Sequence, residues 1–337
     1  MDLQSAFSVQ AANWTASDGI RPLDPTQSQS ILKTVQGVNW LCLTVTDTDK
    51  ARETLEHDFG FHPVPIEDAL SDTERPGMYS DDSYVFATVP VIETIDGESC
   101  YTHLGLFVCK GTLISVTTLG SKFVSEWFER WKAHPAEVGP TTDRLMQELI
   151  DAALDDYFPA LDAIQEDVDE LEERVYSGAK LDASSAVRLR RKLLEMRRQV
   201  TPIRDVVNAL LRRDVLLIHD DTRTYFQDVY DHALRVLEGI DLNRDILTSI
   251  MDAQLSVQSN KLNEVMRNMT SIATILMILA LIPGVYGMNF QYMPELKLHD
   301  GYFIALGSMV VVFIGGLVVA SKIGWLTVNW PWKKRQM

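Results

Sequence analysis

The chain has 337 residues, 46% hydrophobic and 23% charged, enough for two or three domains with a sizeable core. Its formal net charge of −16 argues against a nucleic-acid binder, which needs a basic face against phosphates, and suits either simple solubility or cation partners. Three scattered cysteines, Cys42, Cys100 and Cys109, form no CxxC pair, which argues against a disulfide framework or a structural zinc site. Mean hydropathy is −0.03 because two unlike parts are averaged. The chain is charged and acidic up to Arg267; beyond it lie two stretches without charge.

Residues 1–34 are rich in Ser, Gln, Asp and Ala without a period, so a mobile arm is expected. No basic segment precedes an apolar run there, and no cleaved signal peptide is expected. Residues 35–135 read as an α+β domain, a mixed sheet flanked by helices. Strands are expected over Val35–Val45, Ser83–Pro90, Thr102–Cys109 and Thr112–Leu119, with a turn at Asp96-Gly97. Helices are expected over Asp47–Phe59 and Ser121–Lys132, with one helical turn at Ile66–Ser71.

Residues 142–221 read as a helical hairpin. Asp143–Tyr176 carries Leu145, Leu149, Leu161, Ile164, Val168, Leu171 and Val175 at helical spacing among many carboxylates, with a kink expected at Pro159. From Leu181 to Arg213 a second helix is basic at Arg188, Arg190, Arg191, Lys192, Arg197 and Arg198, so the pair should present complementary faces. Each exposed ion pair would contribute at most about 1 kcal/mol.

Helical periodicity then runs over 222–288 as an all-α stalk, on the order of 90 to 100 Å at ~1.5 Å per residue. Its end, 268–288, lacks charge and is long enough to cross a bilayer, as is 301–321. Residues 289–300 form the hairpin between the two spans, and 322–337 form a basic tail. Lys261, Arg267, Lys322, Lys333, Lys334 and Arg335 flank the spans on one side, which places both termini in the cytoplasm and the loop outside. Trp325, Trp330 and Trp332 suit the cytoplasmic interface.

A single span cannot enclose a pore, so a two-span subunit that conducts must assemble. Asn263, Met266, Thr270, Met277 and Gly284 form a stripe of small, polar or flexible residues at three-and-four spacing, with Met269 close to it. Ordinary coiled-coil packing would produce the same stripe. There is no Walker-type loop, GxSxG or HExxH, so no enzyme is expected. The seven histidines are dispersed, and His232 reads as a polar residue on the stalk.

Tyr286-Gly287-Met288-Asn289-Phe290 followed by Met293-Pro294-Glu295-Leu296, placed between two apolar spans, resembles the CorA family of divalent-cation transporters. Asn260–Met266, Tyr225–His232, Asp155-Asp156-Tyr157-Phe158 and His62-Pro63 with Glu67-Asp68 extend the resemblance over most of the chain beyond residue 35. The resemblance implies a homopentamer in the inner membrane, five stalk helices lining one axial pore, and a cytoplasmic ion-sensing domain. It places a selectivity filter at Gly287, Met288 and Asn289, and a hydrophobic gate around Met266 to Met269 with Met277 as a further narrowing. A ring of Asn289 amides can hold the waters of a hydrated Mg2+, an ion that dehydrates reluctantly; a helix C-cap role for Asn289 is compatible with this.

The resemblance also implies regulatory cation sites at Glu67, Asp68 and Asp228, with Asp231 nearby. A helix cap or surface ion pairs are the alternatives for those residues. Three positions depart from the family's familiar pattern. Gln291 stands where many relatives have Glu, although Glu295 is kept in the outer loop; Ala280 stands where a Thr is frequent, and Pro283 precedes Gly284. These departures keep Mg2+, Co2+, Ni2+ and Zn2+ all open. The resulting expectation is a Mg2+ channel, also passing Co2+ and Ni2+, with the cation as substrate and regulator and no other cofactor. Its partners would be four further copies and the lipid bilayer. A Zn2+ transporter, with or without proton coupling, and a non-transporting membrane sensor are the alternatives.

Overall fold

The computed structural model describes residues 3–23, 36–71, 75–95, 98–177, 183–291, 293–294 and 298–325. The chain divides into two compact units, Met1–Ser249 and Ile250–Met337.

The first unit is built on a seven-stranded sheet: β1 (Phe7–Thr15), β2 (Gly19–Pro22), β3 (Val38–Val45), β4 (Met78–Ser80), β5 (Tyr84–Ile95), β6 (Glu98–Cys109) and β7 (Thr112–Thr117). The strand order is β2-β1-β3-β7-β6-β5-β4. β3 and β7 pair in parallel, and the other pairs are antiparallel. β3 reads Val-Asn-Trp-Leu-Cys-Leu-Thr-Val, nearly continuous in apolar character, because both of its faces are covered.

On one face, Leu41, Leu43, Phe86, Phe107, Ile114 and Val116 pack with Leu55, Phe59, Phe61 and Ile66. The last four come from α1 (Thr48–His57), the connection after it, and α2 (Pro63–Ala69). On the other face, Trp40 Nε1 donates to Ser115 Oγ at 3.0 Å. The Trp40 ring meets Phe128 and Trp131 edge-on, with centroids at 5.3 and 5.5 Å. Those rings belong to α3 (Lys122–Ala133), which the short α4 (Pro135–Val138) follows.

The mobile arm expected over 1–34 is corrected for residues 7–22, which form β1 and β2. β1 pairs with β3 from Phe7↔Val45 to Trp14↔Val38. Ser8, Gln10 and Asn13 dilute its apolar pattern, so it has little strand signal of its own. It is ordered by the backbone groups that β3 would otherwise leave unpaired in the interior. Residues 24–34 and the expected Asp96-Gly97 turn lie outside the described residues.

The expected helix 143–176 is two helices, α5 (Thr142–Asp155) and α6 (Tyr157–Tyr176), separated at Asp156. Pro159 explains the break: its ring would clash with the carbonyl four residues back, at Asp155, whereas the first turn of a new helix tolerates it. α7 (Ala183–Leu210) follows. Leu161, Ile164, Val168, Leu171 and Val175 of α6 are buried, as are Leu189, Leu193, Met196, Val200 and Ile203 of α7. Apolar stripes therefore carry the hairpin, while α7 sends Arg197 to Asp241 and Arg174 pairs with Glu170 in its own helix.

α8 (Asp220–Tyr286) is 67 residues long, where 222–288 was expected. In the second unit it is followed by α9 (Gly301–Lys322), 22 residues. Both helices are long and apolar enough to cross a membrane, and little of either apolar segment is buried in the chain itself. Residues 326–337, with Trp330, Trp332 and most of the basic tail, lie outside the described residues.

Candidate ion pathway and cytoplasmic carboxylate site

The end of α8 keeps its hydrogen bonding despite Pro283. The carbonyl of Pro283 accepts from Gly287 N–H at 2.8 Å, and that of Val285 accepts from Met288 N–H at 3.2 Å. A Cβ on Gly287 would stand 3.1 Å from the Pro283 oxygen, so close approach at the last turn explains a glycine there. Met288, Asn289 and Gln291 are exposed beyond the helix end. Asn289 stands three residues past Tyr286, exposed and outside the helix, and its side chain carries a carbonyl acceptor. Glu295 lies outside the described residues.

Within the second unit, Ser271 and Ile275 of α8 are buried against α9. Ser271 Oγ donates to the Arg267 carbonyl of its own helix at 2.8 Å and lies 3.3 Å from the Trp325 carbonyl. Gly316 sits against Ile275; an added Cβ would meet Ile275 Cγ1 at 3.2 Å. Small residues let two helices approach in this way where lipid supplies no hydrophobic drive.

A helix turns about 100° per residue, which fixes the remaining positions relative to Ile275. Met266, Thr270, Met277 and Gly284 fall within about 40° of the opposite side, and Asn263 and Met269 about 60° to either side of that line. All six are exposed in the single chain; Met269 and Met277 are 69% and 68% accessible. Thr270 Oγ1 donates to the Met266 carbonyl at 2.9 Å, which leaves its oxygen lone pairs facing outward. The stripe and the α9 seam therefore occupy opposite faces of α8.

The four carboxylates singled out in the sequence lie on two elements. Glu67 is exposed and Asp68 half-buried on α2, which Pro65, Ile66 and Ala69 anchor to the sheet. Asp228 and Asp231 lie on α8, and Asp231 Oδ1 accepts from Gln227 Nε2 at 3.2 Å. Asp228 is drawn into a group that the sequence reading missed. Its Oδ2 is 3.5 Å from His232 Nε2. On the other edge of the ring, His232 Nδ1 lies 3.1 Å from Asp151 Oδ1 and 3.9 Å from Asp155 Oδ1.

One ligand atom each from Asp151, Asp155 and His232 all lie within 4.8 Å of one another, a spacing that can hold a metal ion. Burial pushes the Asp151 carboxyl above its ordinary pKa, and the neighbouring Asp155 charge adds to this, while His232 opposes it. Burial also raises Glu148, one turn away, against the opposing charge of Arg144. The signal for this group was present as two i,i+4 pairs, Asp151/Asp155 and Asp228/His232, each on one helix face. What the sequence lacked was the docking of α5 against α8 that brings them together.

The family profile described as CorA-like Mg2+ transporter protein matches residues 35–320. The cobalt/magnesium transport protein CorA of Thermotoga maritima is 31% identical over 95% of this chain and 93% of its own. The putative metal ion transporter YfjQ of Bacillus subtilis is 31% identical over 84% of this chain and 88% of its own. Among solved structures, the CorA magnesium transporter of Methanocaldococcus jannaschii shares the fold with a TM-score of 0.78, covering 94% of this chain and 98% of that one at 20% identity. With a profile match over most of its length and a full-length relative above 30% identity, the chain belongs to the CorA-like Mg2+ transporter family.

Proposed function

We propose that the protein is a homopentameric channel of the inner membrane for divalent cations, with Mg2+ as the principal ion and Co2+ and Ni2+ as further substrates. The placement of the Asn263–Gly284 stripe on the face of α8 opposite α9 is the observation that carries this reading. Five copies of α8 turned with that face inward would line an axial path, with α9 outside. Along it, Asn263 and Thr270 supply polar atoms, and Met266, Met269 and Met277 supply flexible apolar rings that exclude water when narrow. At the end of the path, Gly287, Met288 and Asn289 form the filter. Neutral amide oxygens there hydrogen-bond the waters of a hydrated ion without stripping them, which suits Mg2+ and permits release. Gln291 makes the mouth less acidic than a carboxylate would, and Glu295 of the same loop restores part of that attraction.

Both termini are cytoplasmic in this reading. Glu67, Asp68, Asp228 and Asp231 regulate the pore as cation sites of the cytoplasmic domains, and Asp151, Asp155 and His232 extend the Asp228 site. Bound cations bridge these carboxylates; without them the negative charges repel and the assembly relaxes toward the open state. Flux of Mg2+, Co2+, Ni2+ and Zn2+ into proteoliposomes, each added alone, tests the ion assignment. Mg2+ flux down its gradient, independent of a proton gradient, is expected. Zn2+ flux that exceeds Mg2+ flux and rises with a proton gradient would overturn it, and absence of flux for all four ions would overturn the channel.

A further inference from the structure

The start of α8 is tied on two sides within the first unit. On one side stands Asp143, in the first turn of α5, with its side chain fully buried. Its Oδ2 accepts from the backbone N–H of His219 at 2.9 Å and lies 2.8 Å from His219 Nδ1. Burial works to raise this carboxyl, but the polar groups of Thr141, His219 and Thr222 around it outweigh burial and hold the pKa below the ordinary carboxylate value, while Oδ1 has no hydrogen-bond partner among the described residues. The group is therefore an ionised acceptor at the N-terminal end of α8, where the helix dipole favours negative charge.

On the other side, Arg223 of the first turn of α8 folds its guanidinium back onto the end of α7. It donates to the carbonyls of Leu210 at 3.3 Å, Leu211 at 3.1 Å, Val215 at 3.0 Å and Ile218 at 3.1 Å, and also to that of Arg212. The side chain is only 14% exposed. Leu210 is the last residue of α7, where a helix leaves carbonyls without intrahelical partners. A planar fork of five N–H donors can collect such carbonyls; an ammonium with three donors on one atom cannot span them equally.

Neither tie touches the filter or the carboxylate group, yet both bear on the helix that carries them. α5 holds Asp143 at one end and Asp151 and Asp155 further along. α8 starts at Asp220, directly after His219, and carries Asp228 and His232 in its next turns. A cation drawing Asp151 and Asp155 toward Asp228 thus acts on two helices already pinned together at one end. A pinned end transmits such a pull as displacement of the helix, whereas an unpinned first turn yields by fraying.

We propose that Asp143 and Arg223 are positioning residues of the gating apparatus, which anchor the first turn of α8 so that cytoplasmic cation binding is converted into movement of that helix. The proposal rests on the reading of α8 as a pore helix regulated by cytoplasmic cations. Its test is Mg2+ flux through the full-length protein in proteoliposomes as internal Mg2+ is varied, for wild type, Asp143→Asn, Arg223→Gln and Arg223→Lys. The internal Mg2+ needed for half closure should rise about tenfold in Asp143→Asn and Arg223→Gln, and less in Arg223→Lys, with flux in the absence of internal Mg2+ unchanged. Amide exchange at 219–223 should quicken in the same variants.

A lower melting temperature with an unaltered closure curve would reduce both residues to a structural role and overturn the proposal. Unchanged exchange at 219–223 would do the same, and so would an Arg223→Lys variant that behaves as wild type. A wild-type protein indifferent to internal Mg2+ would instead remove the regulatory reading itself, and the proposal with it. Should Arg223→Gln fail to fold, Asp143→Asn and Arg223→Lys still decide between these outcomes.

Discussion

His232 Nδ1 lies 3.1 Å from Asp151 Oδ1, joining residues 81 positions apart in the chain. An imidazole among carboxylates changes which ions the group prefers. Oxygen-only sites suit Mg2+, whereas imidazole nitrogen suits Co2+, Ni2+ and Zn2+. His232→Ala should therefore weaken Ni2+ binding to the purified protein about tenfold while Mg2+ binding changes far less. Calorimetric titration with each metal alone checks this, and equal losses for both ions would remove His232 from the ligand set.

The raised pKa of Asp151 carries a stability consequence. A carboxyl whose folded pKa lies above its unfolded one stabilises the fold in its protonated form. That contribution is present below the ordinary carboxylate range and is lost as pH rises through the raised value. At neutral pH the ionised Asp151, buried and beside Asp155, opposes folding, and a bound cation would offset that opposition. Asp151→Asn should raise the melting temperature of the metal-free protein, and added Co2+ should raise the melting temperature of wild type far more than that of the variant. A fall in the metal-free melting temperature would contradict this.

Asp143 has the opposite sign. Its depressed pKa contributes stability above the ordinary carboxylate range, lost as pH falls through the lowered value. Asp143→Ala should destabilise the protein by about 1–3 kcal/mol at neutral pH, since it strands the His219 N–H. It should also flatten the acid limb of the melting-temperature profile. An unchanged acid limb would show that Asp143 is not the group titrating there.

Packing of α8 on α9 is open to a paired substitution. Gly316 abuts Ile275, while nothing in the chain lies within 4 Å of a Cβ added at the neighbouring Gly315. Gly316→Leu should overpack the seam and cost about 1–3 kcal/mol, with a lower melting temperature in detergent. Gly315→Leu should leave it near wild type. Equal effects of the two would mean that the α8–α9 seam is not where the structure puts it.

These features differ in how far they were legible in the sequence. The stripe from Asn263 to Gly284 was, because it lies on one helix, and helical period alone sets the angular relation of its members. The spans were legible from the absence of charge, β5 and β6 from alternation of apolar with small or polar residues, and β3 and β7 from strand-forming runs bounded by glycine. β1 was not: Ser8, Gln10 and Asn13 give it a polar look, and only the need of β3 for a partner orders it. The break at Asp156 was misplaced by a few residues because a proline acts on the carbonyl four positions before it. His232 was passed over because its partners, Asp151 and Asp155, lie on a helix far away in the chain. Arg223 was missed for a related reason, since its partners are backbone carbonyls, which carry no residue signature.

The methionine rings proposed for the pore carry a prediction about closure. If Met266, Met269 and Met277 exclude water from the closed path, a hydroxyl at one ring lowers that barrier. Met277→Ser should raise Mg2+ flux at high internal Mg2+, the condition under which the proposed gate closes, and alter flux little without internal Mg2+. A variant as tightly closed as wild type would place the barrier elsewhere.

The filter assignment is tested most directly by the initial rate of Mg2+ entry into proteoliposomes containing Asn289→Ala, with the oligomeric state of the variant verified by mass. Loss of the amide ring should lower that rate about tenfold or more, the equivalent of ~1.4 kcal/mol of hydrogen bonding to the hydrated ion, with assembly intact. An intact assembly that conducts Mg2+ as wild type does would contradict the account of Asn289 as the residue that holds the ion.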